Sequence, residues 1–114
     1  MVDYNKQLVS ALGEILPTHH ELVLHSGLET PCISYQEINN YAVETGDTLG
    51  YSRLVYRIKV WGNRVADLQS YAGMIDTALR PLGFKRTSTN ELGDKNSTMI
   101  QKIMTYEAQA LEDF

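Results

Sequence analysis

The residues best suited to chemistry begin with the histidines. All 3 lie close together, at His19, His20 and His25, just ahead of the single cysteine, Cys32. Clustered imidazoles suit a metal, but a zinc site needs three or four ligands at defined spacing, and no HExxH or paired-cysteine pattern completes one. Adjacent histidines on an extended segment also point to opposite faces. They read as surface or loop residues. Cys32 follows Pro31 at the start of an expected strand, with no helix N-terminus to lower its pKa, so packing is its expected role rather than nucleophilic attack. No G-x-S-x-G, Walker loop or dinucleotide-type glycine pattern is present. The carboxylates Glu44 and Asp47 share a polar stretch, where acid–base work would require a pocket and a solvated loop requires nothing. The remaining group is cationic. Arg53, Arg57 and Lys59 share the parity of one strand face, bracketed by Tyr51 and Trp61. Such a strip suits nucleic acid or an acidic protein partner. It equally suits an ordinary polar sheet face whose lysines discourage edge pairing. Base stacking would want aromatics between the charges, and here they only bracket them.

The bulk numbers narrow the field. A chain of 114 residues fits one compact domain, able to fold without disulfides or metal. Its net charge of −4 argues against a general binder of nucleic acid or anionic membranes. One cysteine allows no internal disulfide and fits a reduced, cytosolic setting. The opening MVDYNKQLVS lacks a signal-peptide profile, and no apolar run approaches the roughly 20 residues a membrane helix needs. No membrane partner is expected.

The elements that would position these groups follow from periodicity. Leu8, Ala11, Leu12, Ile15 and Leu16 fall on one face of a helix over residues 3–16, with Asp3 as N-cap and Pro17 as its stop. Residues 21–25 read as a short strand, and residues 32–38 as a second. Residues 39–50 carry little apolar periodicity and read as a projecting loop or extended hairpin, whose deletion is expected to spare the fold. Residues 51–61 alternate strictly: Ser52, Leu54, Tyr56, Ile58 and Val60 toward the core, and Tyr51, Arg53, Val55, Arg57, Lys59 and Trp61 away from it. This is long for a strand, where about 5–6 residues are typical.

Gly62 and Asn63 then turn the chain, with Asn63 expected to cap a helix. Val65, Leu68, Ala72, Ile75 and Leu79 form its apolar stripe, with Tyr71 and Ala78 at the edge. Asp67 and Arg80 match the helix dipole, and Pro81 and Gly83 end the helix. Strands over residues 84–92 and 98–108 close a hairpin through a turn at 93–97, and the acidic tail from Gln109 is expected to fray. The order gives an α+β two-layer sandwich, a mostly antiparallel sheet with two helices packed on one face. Whether the second helix is a crossover or a flanking return stays open.

Aromatic content adds a hint of assembly. There are 7 tyrosines and 1 tryptophan, and aromatics with Arg are favoured at protein interfaces. Tyr41, in the expected loop, has no core to fill and is the best anchor.

Certain phrases carry a resemblance. PCISYQEINN, then YSRLVYRIKVWGN, then a helix ending ALRPLGFKR, then KIMTYEA, resemble the tail-terminator (tail-completion) proteins of long-tailed bacteriophages, across residues 31–108. The resemblance implies a small α+β subunit of the virion, assembled in the host cytoplasm into a hexameric ring at the head-proximal end of the tail. Such a ring caps the tail tube, stops its polymerisation and presents a surface to the head connector. It implies contacts with other copies of the chain, with the tail tube protein and with a head-completion or connector protein, DNA only passing through the lumen. It implies no catalytic residues and no cofactor. A head-completion subunit of the phage neck is the alternative. The implied contact residues are Tyr41, Glu44, Asp47, Tyr51, Arg53, Arg57, Lys59 and Trp61, with the acidic loop and the basic strand face complementing each other between subunits.

Overall fold

The computed structural model describes residues 4–21, 29–45, 48–93 and 99–111. The element order is α1 (Asn5–Gly13), β1 (Thr18–His20), β2 (Cys32–Thr45), β3 (Thr48–Gly62), α2 (Val65–Leu79), a 3-10 turn (Arg80–Leu82), β4 (Lys85–Gly93) and β5 (Ile100–Leu111). The strands make one 5-stranded sheet in the order β1-β2-β3-β5-β4. Every pairing is antiparallel except β1 with β2. This is the expected α+β architecture, with both helices on one face.

The alternation of β3 sets that face. Ser52, Leu54, Tyr56, Ile58 and Val60 are buried, each separated by a half-exposed neighbour. Opposite them, β5 contributes Met104, Tyr106 and Ala108 by register. Leu8 and Leu12 of α1, and Leu68, Ala72, Ile75 and Leu79 of α2, join the same cluster. Each fully buried Leu or Ile contributes roughly 1.5–3 kcal/mol by leaving water. Phe84 and Tyr56 meet edge to face at 5.6 Å. The Tyr56 hydroxyl, taken into the core, lies 2.7 Å from Asn5 Oδ1 and 3.1 Å from Glu37 Oε2. A buried hydroxyl without such partners would be costly.

Tertiary pairing corrects several local expectations. The first short strand is β1 at Thr18–His20, not residues 21–25; Glu21 follows it, and His25 lies outside the described residues. His19 and His20 therefore sit on a strand, half-buried, and His20 meets Tyr35 edge to face at 5.2 Å. Of the two readings of residues 39–50, the extended hairpin holds and the projecting loop does not: β2 runs on to Thr45 and β3 begins at Thr48, with register shifts between Glu37 and Asn39 and between Val43 and Thr45. Its polar, low-periodicity sequence did not mark how far the strands run, because backbone pairing of β2 with β3 holds them. Deleting it would remove paired strand.

The end of the chain departs in the same direction. Residues 109–111 do not fray but pair with Tyr51, Ser52 and Arg53. Helix ends shift as well. Asp3 lies outside the described residues, and α1 starts after Tyr4 without a side-chain cap. Arg64, not Asn63, occupies the N-cap of α2, again without a side-chain bond. Val65 is exposed rather than part of the core stripe, which begins at Leu68. Pro81 lies within the 3-10 turn, and Gly83, at φ 89°, supplies the left-handed residue that ends it.

The open question about α2 is settled. β3 and β4 both run antiparallel to β5, so they are parallel to each other, and α2 is a crossover that leaves room for β5 between them. No helix among the described residues is long and apolar enough to cross a membrane. The body measures 54 × 25 × 24 Å, its long axis a consequence of the extended strands.

Candidate assembly interface

The sheet face away from the helices carries no second layer of described residues. β3 presents Tyr51, Arg53, Val55, Arg57, Lys59 and Trp61 there, all half-exposed. Register adds Tyr41 opposite Arg53 on β2, and Thr105 and Glu107 opposite Arg57 and Val55 on β5. Period-two alternation brings these residues together, as the sequence required.

Their charges are not free. Arg57 Nη2 donates to Glu21 Oε2 at 2.7 Å and to Gln36 Oε1 at 2.8 Å. Lys59 Nζ pairs with the other oxygen of Glu21 and sits 5.6 Å from the Trp61 ring centroid, within cation–π range. Trp61 Nε1 donates to Ser34 Oγ at 2.9 Å. Farther along β3, Arg53 Nε pairs with Glu107 Oε1. Burial works against ionisation of Glu21, but hydrogen bonds and charge from Arg57 and Lys59 outweigh it and hold the carboxyl below its usual range.

Part of the expected electrostatic complement between subunits is thus met inside the chain. Glu21 and Glu107, not Glu44 and Asp47, are the acids that the described residues bring to the basic strip. Glu44 lies near the hairpin end of β2, and Asp47 lies outside the described residues. No local pattern pointed to Glu21, because its place beside β3 depends on the parallel pairing of β1 with β2. Glu107 was accessible in principle, from its parity on the last strand.

Two clusters result. Trp61, Lys59 and Arg57 form an internally paired patch near the β1 end. Tyr41, Tyr51 and Arg53 lie toward the hairpin end, where Tyr41 is 40% exposed despite its size. Aromatics beside Arg are what protein interfaces favour. Cys32 is buried at the start of β2, and burial raises its thiol pKa, the reverse of nucleophile activation. No set of three potential metal ligands occurs among the described residues.

Comparisons with known proteins give fold information only. No protein-family model matches the chain, and no curated protein matches it. Among solved structures, a chain from the virion of a native gene transfer agent (GTA) particle is similar. It aligns at TM-score 0.68 with 14% identity, covering 92% of this chain and 84% of that one. At such identity the likeness is one of fold.

Proposed function

We propose that this chain is a structural protein of a phage-like virion, and within it a tail terminator: a ring-forming subunit that caps the tail tube, stops its polymerisation and joins the tail to the head connector. The observation that carries the reading is the fold likeness over 92% of the chain to a chain of a gene transfer agent virion. The phrases along β2, β3, α2 and β5 that resemble tail terminators support the finer assignment. The paired outer face supports it too. With Arg53 and Arg57 held by Glu107 and Glu21, the sheet offers little free cationic charge to grip DNA, and a DNA-conducting ring needs walls that let DNA slide.

The test is assembly. Removing the protein should give overlong or headless tails, and normal virions formed without it reject the reading. Cross-linking in particles places it: contact with the tail tube protein supports the terminator. Contact confined to the portal-side partner reassigns the chain to head completion.

A further inference from the structure

We propose that the outer edge of β4 pairs, as an antiparallel strand, with the hairpin half of β2 of a second copy of this chain, so that neighbouring sheets join edge to edge. This rests on the ring reading above and names its contact.

Two observations expose the edges. Every residue of β4 from Lys85 to Gly93 is exposed, although the strand is 9 residues long and bonded to β5 along its other side. On the opposite edge of the sheet, β1 reaches only as far as Tyr35, and no other described strand lies outside β2 from there to Thr45. Long exposed edges of this kind template further pairing unless charge, proline or a bulge blocks them. β4 carries such guards only at its start, where Lys85 and Arg86 precede a register shift between Arg86 and Ser88. Residues 88–92 contain no Lys, Arg or Pro. Their single charge, Glu91, bonds Lys102 Nζ at 2.8 Å.

Large apolar side chains mark the same edges. Of the exposed large hydrophobics, Leu92 (54%) lies on β4, and Ile38 (50%) and Tyr41 (40%) lie on β2. A lone exposed Leu is ordinary, but apolar groups on both open edges of one sheet are what an edge-to-edge contact would bury.

Direction and face agree. β4 runs parallel to β3, whereas β2 runs antiparallel to it. Copies laid side by side in the same orientation therefore bring β4 against β2 in antiparallel sense, with all helices on one side. Side-chain parity then allows a register with Asn90 opposite Tyr41 and Leu92 opposite Asn39, between the β2 register shifts at Glu37/Asn39 and Val43/Thr45 and beyond the β4 shift at Arg86/Ser88. Leu92 and Tyr41 fall on the same outer face as diagonal neighbours, within reach of one another. The antiparallel sense also carries the Lys85–Arg86 end of β4 to the hairpin end of β2. Because the two edges differ, the contact is head to tail, and a repeated rotation closes it into a ring. Pairing β4 with β4 would consume the edge in a two-fold dimer and stop there.

The experiment introduces Leu92→Cys with Asn39→Cys, and separately Leu92→Cys with Tyr41→Cys, into the full chain, and applies a mild oxidant to assembled particles. The buried Cys32 stays in place, and the unaltered chain serves as the blank. The expected result is a ladder of disulfide-linked multimers up to the ring, with each single variant giving none. A ring visible in particles that stays uncross-linked overturns the contact and leaves the ring reading standing. Particles in which this chain forms no ring overturn both. A cross-linked dimer from Leu92→Cys alone also overturns the contact, in favour of two-fold pairing through β4. As a second readout, Leu92→Lys with Tyr41→Lys should weaken ring formation by about tenfold or more. Both side chains are substantially exposed in the subunit, so its thermal midpoint should hold. Unchanged ring formation in this variant counts against the proposal.

Discussion

Lys102 offers a sharp test of the packing behind β4. It points to the helix face of β5, with its side chain only 8% exposed, and Nζ donates to Glu91 Oε1 at 2.8 Å and to Gln69 Oε1 at 2.7 Å. The two members of the ion pair differ in exposure, since the Glu91 side chain is 43% exposed. Truncating Glu91 to Ala leaves a buried ammonium with one neutral partner. A hydrogen bond to a charged group is worth about 1.5–3 kcal/mol, and the water that reaches the Glu91 side reduces this to a cost of about 1–2 kcal/mol. Lys102→Met instead removes the charge and keeps an unbranched stem of similar volume. Glu91 and the exposed Gln69 then return to water, so the cost should be about 1 kcal/mol or less. The ordering, not the absolute value, is the prediction: removing the exposed acid harms more than removing the buried base. Urea denaturation of both variants at neutral pH, followed by circular dichroism, reads it directly. If Lys102→Met proves the more destabilising, the pair is a net source of stability and the desolvation argument is wrong.

Other predictions follow from the same contacts. Ile75→Asp or Leu68→Asp places a charge among core residues and should cost at least about 4 kcal/mol, enough to unfold the subunit; a folded circular dichroism spectrum would show that the buried face of α2 is misassigned. The depressed Glu21 carboxyl contributes stability that is fully present above its unfolded pKa of 4.5 and is lost as pH falls through the lower folded value. Glu21→Gln should therefore flatten the acid limb of a pH-stability curve, and an unchanged limb would refute the Arg57–Glu21–Lys59 link. Tyr106, whose hydroxyl bonds Asp76 and whose pKa is raised by burial and that carboxylate, should lose about 1–2 kcal/mol on Tyr106→Phe, since Asp76 keeps Arg86 at 3.2 Å. Equal melting temperatures for the two proteins would contradict it.

Much of the fold was legible because its signals are local. The buried positions of β3 follow from strict alternation, and those of α2 from a stripe of Leu68, Ala72, Ile75 and Leu79. Val65 belongs to the same helical pattern yet is exposed, since periodicity says which side a residue takes and not what packs against it. How far the strands of the long hairpin run was illegible for a related reason. Residues 39–45 are held by main-chain pairing with β3, and such pairing leaves no mark in hydropathy.

The candidate interface divides in the same way. Alternation alone put Tyr51, Arg53, Arg57, Lys59 and Trp61 on one face. Which acids would neutralise them was beyond its reach: Glu21 lies 36 residues from Arg57 and Glu107 lies 54 from Arg53. By itself, then, the sequence determined the two helices and most strands, the inward faces of the helices and of β3, and the lack of any recognisable catalytic motif, because these depend on neighbours a few residues away. Tertiary structure alone decided the strand order, the parallel placement of β1 and the crossover that leaves β4 as a long exposed edge. Those depend on which distant backbones meet, and hydrogen bonds between strands are indifferent to the distance along the chain that separates them.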